Sequence, residues 1–508
     1  MTRLFLLLTL SLLLQPALAN QDMLDYLYEP ALQQKQQLLV DRVLTHARNL
    51  EYDNALTLSQ TLLESTEDMS KTSVTAFGQI MVNHGIIQSA TGEYGQGLTV
   101  IENGLEMIEQ RTNPFSETLI NAIMARALAQ YSMDQPADAE DSFRRAQHIM
   151  HRNAGVYAVD QISVISWLTR TNLKLGEPLA ADREQRFLLK VAEQVYGPDS
   201  VELLPVLHRL GGYFANRGST ISVLAADEMR LHRDQLFRYS VNLYQRAVSI
   251  IEQNFGENDL RLVQPLRGLA NARMLQITNR KYAEAALERS LEIVQSNPNS
   301  DATDRARALI DLGDLYVITR DSRASQVYLE AWDILQENEE TRELANNLFG
   351  APVRLFPRET PVLPLERRPH AASKGDPLFV SLEYTVNADG GVSKVSVLEK
   401  NVPNEQVRLL RHRVKGTKFR PRIVDAEIIS TDGLVMYQRY QVIEKKGSTT
   451  NNHTNEDAPT ESEGDKEPSA VADKEPSASP VKEPSAAVDK EPSAVPDDDN
   501  GISRHPEN

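Results

Sequence analysis

Tyr94-Gly95-Gln96-Gly97-Leu98-Thr99-Val100-Ile101-Glu102-Asn103-Gly104, with Gly85 a short way upstream, is the stretch that decides the fold. Small residues stand at Gly85, Gly97 and Gly104, where two antiparallel helices must approach closely. The larger Tyr94 and Ile101 stand where side chains fill the groove between them. Working outward, the small position of Gly97 recurs at Ala55, Ala139 and Ala181, each about 42 residues from the next. An interval kept over so many units predicts an array of helical repeats. Downstream, Tyr196-Gly197-Pro198-Asp199 precedes Leu207, Leu210-Gly211 and Phe214, and Phe255-Gly256-Glu257-Asn258 precedes Leu266 and Leu269-Ala270 at the same offsets. Leu312-Gly313 with Tyr316, then Ala324, Tyr328 and Ala331, close the series. The spacing loosens after Ala181, where an insertion is expected near Ser219 to Asp234.

These segments resemble tetratricopeptide repeats, and the Tyr/Phe-Gly-x-x turn is similar to that of the longer-period repeats of kinesin light chains. The resemblance covers residues 37–345 and implies a solenoid whose first helices line a concave, peptide-holding face. Carried onto this sequence, it implies groove residues His208 and Asn216 in one unit, Gln264, Arg267 and Asn271 in the next, and Arg307 and Asp314 in the last.

Composition narrows the chemistry. The chain has 508 residues, enough for more than one domain, and its net charge of −17 disfavours attraction to nucleic acid or an anionic membrane. It has no cysteine, which excludes disulfides, cysteine nucleophiles and thiolate metal sites together. No zinc-protease, serine-hydrolase, phosphate-loop or calcium-loop pattern occurs, and His148 and His151 fall at a helix end where exposed histidine is ordinary. The chain is therefore expected to be no enzyme, with no catalytic residue, no cofactor and no metal.

Arg3, the apolar run Leu4 to Leu14 and Ala17-Leu18-Ala19 before Asn20 read as a secretory signal peptide, residues 1–19. A spanning helix needs about twenty apolar residues, so no stable membrane insertion is expected. A cleaved leader implies the periplasm of a Gram-negative bacterium. The alternative is a retained anchor.

After the repeats, Pro352, Pro357, Pro361, Pro364 and Pro369 predict a linker over residues 350–370 that stops the helices and runs extended. Phe379 to Val386 alternates as a strand, Asn387-Ala388-Asp389-Gly390-Gly391 is a hairpin turn, and Val392, Val395 and Val397 belong to the returning strand. Asn404 to Lys415 reads as a basic helix with Val407, Leu410 and Val414 on one face, and Leu434 to Val442 as a last strand. This order resembles the C-terminal domain of TonB-family energy transducers, over residues 371–446. The resemblance is carried by Pro361-Val362-Leu363-Pro364, Val380 to Val386 with Asp389-Gly390, and Lys418-Phe419-Arg420-Pro421 after the helix; Thr417 stands where the family has tryptophan. It implies an edge strand at Val435, Tyr437 and Arg439, open to strand addition by a partner.

Residues 447–508 are acidic and proline-broken, with Lys-Glu-Pro-Ser-Ala starting at Lys466, Lys474, Lys482 and Lys490. Such a tail cannot bury enough apolar surface to offset ordering, so disorder is expected. The expected fold class is thus mainly α: a tetratricopeptide-like solenoid, a small α+β TonB-like domain and a disordered tail. The expected function is an envelope scaffold binding proteins or peptides, with outer-membrane receptors or TonB-type motor components among the candidate partners. A membrane-anchored transducer and a peptidoglycan-binding factor are the alternatives.

Overall fold

The computed structural model describes residues 21–221, 227–276, 280–356, 363–365 and 377–442; the expected signal peptide, most of the proline-rich stretch and the acidic tail lie outside them. All described residues fall within one compact unit that ends at Lys445.

Among the described residues seven antiparallel helix pairs follow one another. They are α1 Gln34–Arg48 with α2 Tyr52–Ser65, α3 Val74–Ala90 with α4 Tyr94–Glu109, α5 Ile120–Ser132 with α6 Pro136–Ala154, and α7 Gln161–Lys174 with α8 Pro178–Tyr196. Then come α9 Leu204–Thr220 with α10 Asp227–Phe255, α11 Val263–Leu275 with α12 Arg280–Ser296, and α13 Ala302–Thr319 with α14 Ala324–Gln336. A further helix, α15 Glu339–Phe349, closes the array. The recurring small residues Ala55, Gly97, Ala139 and Ala181 all sit in the first turn of a second helix and are buried. At Gly97 the fit leaves no space for a side chain: an added Cβ would lie 2.6 Å from the Gly85 carbonyl oxygen of α3. Gly78 and Gly104 meet in the same way two turns further on, at 2.7 Å.

The long interval of the repeat has a local cause. Second helices α6, α8 and α10 each end on a glycine, Gly155, Gly197 or Gly256, with φ of +91°, +91° and +96°. These left-handed caps turn the chain out of the helix at no steric cost. Ser200 and Asp259 then accept the backbone N–H of Glu202 and Arg261, starting a short 3-10 turn that leads into the next first helix. The expected irregularity after Ala181 is the 29-residue helix α10. Its Tyr244 ring lies against Gly211 of α9 and Gly268 of α11, filling the volume those glycines leave. Because α10 supplies side chains to both apolar clusters of the helical region, one running from Met23 to Ile250 and the other from Tyr244 onward, it joins the two halves of the array.

Beyond α15 the chain is less linker-like than its prolines imply. Val353–Phe356 is a strand, β1, and Leu363–Leu365 another, β2. They are followed by β3 Leu378–Val386, β4 Val392–Lys400, helix α16 Asn404–Lys415, β5 Lys418–Arg420, β6 Arg422–Val424, β7 Glu427–Ile429 and β8 Thr431–Val442. Of the expected extended linker over residues 350–370, residues 350–356 and 363–365 with the short strands β1 and β2 are described, and the rest lies outside the described residues. Proline lacks only its own N–H, so β2 still pairs in parallel with β8 at Tyr440 to Val442, and β1 pairs antiparallel with β5. The main sheet runs β2-β8-β3-β4, with Val407, Leu410 and Val414 of α16 packed on the side of Val380, Leu382 and Val395.

The tight column of small residues makes a stability prediction. Gly97→Ala is expected to destabilise by about 1–3 kcal/mol through overpacking. Gly95→Ala, whose added methyl meets only the end of Met133 at 3.8 Å, should gain up to about 1 kcal/mol from helix propensity. Thermal melting followed by circular dichroism should move the two variants in opposite directions.

Candidate functional site

The expected groove residues lie on the first helices of the last three pairs, at helical spacings that keep each set on one face. The structure brings several of them together as cross-links between successive units. The amide Nε2–H of Gln264 on α11 donates to Nε2 of His208 on α9 at 2.9 Å. Burial holds the His208 pKa below its usual value, which keeps the imidazole a neutral acceptor. Arg267 on α11 pairs with Asp311 on α13, with Nη2 3.1 Å from Oδ1. Asp314, one turn along α13, is engaged by the C-terminal region. Arg420 of β5 donates Nε to Oδ1 at 2.9 Å and Nη2 to Oδ2 at 2.7 Å, and its Nη1 reaches the Leu348 carbonyl at 3.3 Å. The Tyr328 hydroxyl adds a bond to Asp314 Oδ1 at 2.8 Å. Burial, and then the Asp314 charge, push the Tyr328 phenol well above its ordinary pKa, so it stays a donor. Asn216 and Arg307 remain exposed and Asn271 half-buried.

Arg420 therefore fixes the C-terminal strands onto the last helix pair. Leu355 of β1 and Ile423 of β6 enter the same apolar cluster as Tyr328 and Phe349. The β3–β4 turn also reaches the helices: the Gly390 carbonyl accepts the Phe419 N–H at 2.9 Å, and a Cβ on Gly390 would lie 2.7 Å from Val317 of α13. The other predicted site, Val435, Tyr437 and Arg439, lies on β8. Among the described residues β8 is paired to β3 along its length and to β2 at Tyr440 to Val442. Val435 and Tyr437 are exposed, and the Tyr437 ring stacks on Phe379 at 4.7 Å.

One arrangement had no counterpart in the sequence reading. Residues 21–33 run across the first helices of the earlier units. A short helical turn, Leu24–Tyr26, gives way to extended chain at Leu27. Asn83 of α3 grips the backbone of Tyr28 from both sides, its Oδ1 accepting the N–H at 2.7 Å and its Nδ2 donating to the carbonyl at 2.8 Å. The Tyr28 hydroxyl donates to the Thr118 carbonyl and accepts the Ala122 N–H at 3.0 Å, satisfying a free donor in the first turn of α5. The Tyr26 hydroxyl meets Ser163 of α7 at 2.8 Å, and Asp22 approaches Arg170 of α7 at 3.7 Å. Met23, Leu24, Leu27 and Tyr28 are buried. Burial pushes the Tyr26 phenol up to about 12 and raises Tyr28 further, so both hydroxyls keep their protons. Beside this segment an open cleft of about 820 Å³ continues along α7 toward α9, lined by Asp25, Asp160, Trp167, Arg170 and Arg209 among others.

No protein-family model and no curated protein matches the chain. Among solved structures it is similar to BtubC (BKLC) from P. vanneervenii, with 16% identity and a TM-score of 0.33, over 51% of this chain and 94% of that one. It is also similar to a Podosopora anserina chain with nearly identical TPR-like repeats, with 12% identity and a TM-score of 0.33, over 43% and 96%. The quorum sensor NprR from B. thuringiensis follows at 11% identity and a TM-score of 0.30, over 60% and 89%. The description of this chain as a helical-repeat solenoid rests on its own stacked pairs. Among the described residues no group of three or more His, Cys, Asp or Glu is placed to hold a metal, and no helix is long and apolar enough to cross a membrane.

The Asp314–Arg420 pair makes the second prediction. Arg420→Ala leaves a half-buried carboxylate with Tyr328 as its remaining partner, and the expected loss is about 3–5 kcal/mol. Tyr328→Phe should cost about 1 kcal/mol. Hydrogen exchange should show residues 353–356 and 418–424 losing protection in Arg420→Ala while α3 to α8 keep theirs.

Proposed function

We propose that the chain is an exported protein–protein interaction scaffold of the cell envelope. It captures partner segments on the face of its first helices and adds a partner strand at β8, around Val435, Tyr437 and Arg439. The observation that carries this reading is the placement of residues 21–33, which occupy that face as a peptide would, gripped through the backbone by one asparagine and through two tyrosine hydroxyls. The reading is supported by the length of the stacked array and by the exposed Val435 and Tyr437 side chains on β8. The periplasm and an association with TonB-type transport are part of the proposal; they draw on the leader-like N-terminus and on the TonB-like order of hairpin, helix and Lys418-Phe419-Arg420-Pro421.

The third prediction tests this directly. N-terminal sequencing of the protein from fractionated cells should give a start at Asn20 in the periplasmic fraction. Cross-linking in intact cells should recover envelope transport or assembly components, and the yield should fall severalfold in Val435→Lys/Tyr437→Lys or Asn271→Ala/Arg307→Ala. A start at Met1 in the membrane fraction turns the reading to an anchored transducer, and capture insensitive to both double variants removes both proposed surfaces.

A further inference from the structure

The geometry points to a peptide-binding site across α3, α5 and α7 that residues 21–30 hold closed, and that a partner's segment of the same chemistry opens by displacing them. The inference rests on the scaffold reading and names the site and its ligand class. The ligand is a short segment whose apolar pair and two tyrosines match Met23-Leu24-Asp25-Tyr26-Leu27-Tyr28.

Three features separate this segment from an ordinary piece of core. First, its polar contacts go to first helices of three successive units, α7, α5 and α3, so that the segment runs antiparallel to the order of the array. A terminal strap that served only to cover one open end would need contacts at that end alone. Second, the grip is on groups that any peptide has. The Asn83 amide reads the N–H and carbonyl of one residue, which leaves side-chain selection to the pockets that take Leu27 and Tyr28 and to the Ser163 hydroxyl that takes Tyr26. Third, the groove does not end where the segment does. The cleft beside Asp22, Asp25 and Tyr26 continues over Trp167 and Arg170 to Arg209, so part of the site is open while the rest is filled. An arriving segment can engage the open part before the resident one leaves. Arg170 lies over the Trp167 ring at 4.5 Å and faces Asp22 at 3.7 Å, a contact that an acidic residue of the incoming chain can take over.

A resident occupant lowers the apparent affinity for any competitor by the fraction of time the groove is free. The test uses a chain beginning at Asn20 with a short protease site inserted beside the exposed Gln33, so that the segment can be cut while the array stays folded. The probe is a fluorescent peptide of residues 20–32. Fluorescence anisotropy should show weak binding to the intact chain and about tenfold or tighter binding after cutting. Asn83→Ala in the cut chain should lower affinity again by about tenfold, and so should Tyr28→Phe placed in the probe, which leaves the protein untouched. The proposal is overturned if the cut chain binds the probe no better than the intact one, if cutting melts α3 to α7 by circular dichroism, or if the Tyr28→Phe probe binds as well as the parent. A concentration-dependent dimer of the intact chain that the probe dissolves would make a second copy the occupant and overturn the partner assignment. Probe exchange with no envelope partner recovered in cells removes the proposed surroundings and leaves the groove; the reverse removes the groove and leaves the scaffold.

Discussion

A pair of helices that closes on itself at a column of small residues leaves both outer faces apolar, and the rest of this structure follows from having to cover them. Gly97 against Gly85 and Gly78 against Gly104 bring α3 and α4 to the closest approach backbones allow. Ile101 and Ile108 seat against Gly85 and Gly78 inside this interface, and apolar residues on the other faces turn to the neighbouring pairs. Each pair therefore stacks on the next, and the glycine caps at Gly155, Gly197 and Gly256 supply the turn that returns the chain to the starting side. Stability in such an array is a sum of neighbouring contacts, which leaves its two ends exposed.

Two parts of the array are covered by this chain itself, by different means. Across the first helices α3, α5 and α7, residues 21–33 add Met23, Leu24, Leu27 and Tyr28 to the first apolar cluster. At the back, Leu355 and Ile423 add to the second, and Arg420 ties the strands to Asp314. Strands β1, β5 and β6 therefore pack against the end of the array. One consequence concerns the face expected to be a continuous groove. In the last three pairs, His208 to Gln264, Arg267 to Asp311 and Asp314 to Arg420 form a chain of internal links, so a ligand there must meet paired side chains. In the earlier pairs the face is occupied by a segment with peptide-like contacts.

The array was legible in the sequence because its signal is periodic: Ala55, Gly97, Ala139 and Ala181 repeat a packing constraint, and Leu210-Gly211 and Leu269-Ala270 repeat another. The β3–β4 hairpin was legible through Asp389-Gly390, and α16 through Val407, Leu410 and Val414. What escaped has no period. Arg420 and Asp314 are 106 residues apart, and a single ion pair leaves no pattern in either neighbourhood. The strand at Val353–Phe356 was hidden by the prolines that flank it, and Gln21 to Gln33 is too short to show alternation or a helical stripe. Asn83 offered one readable hint, a polar residue inside an otherwise apolar helix. A buried asparagine demands partners for its oxygen and its nitrogen, and the backbone of a passing chain supplies both.

The resident segment also sets terms for whatever competes with it. It joins α1 through only a few residues, so its local concentration at the groove is of the millimolar order or higher. A free competitor with identical contacts would lose to it at ordinary concentrations. A successful partner must gain something the resident lacks, and the open cleft over Trp167, Arg170 and Arg209 is where the structure leaves that gain available. A longer segment that fills the cleft as well as the Tyr28 position adds contacts at no cost to the grip of Asn83, and a partner that also pairs with β8 adds a second point of attachment. Under this arithmetic the site selects for length and for two-point engagement more than for any single side chain.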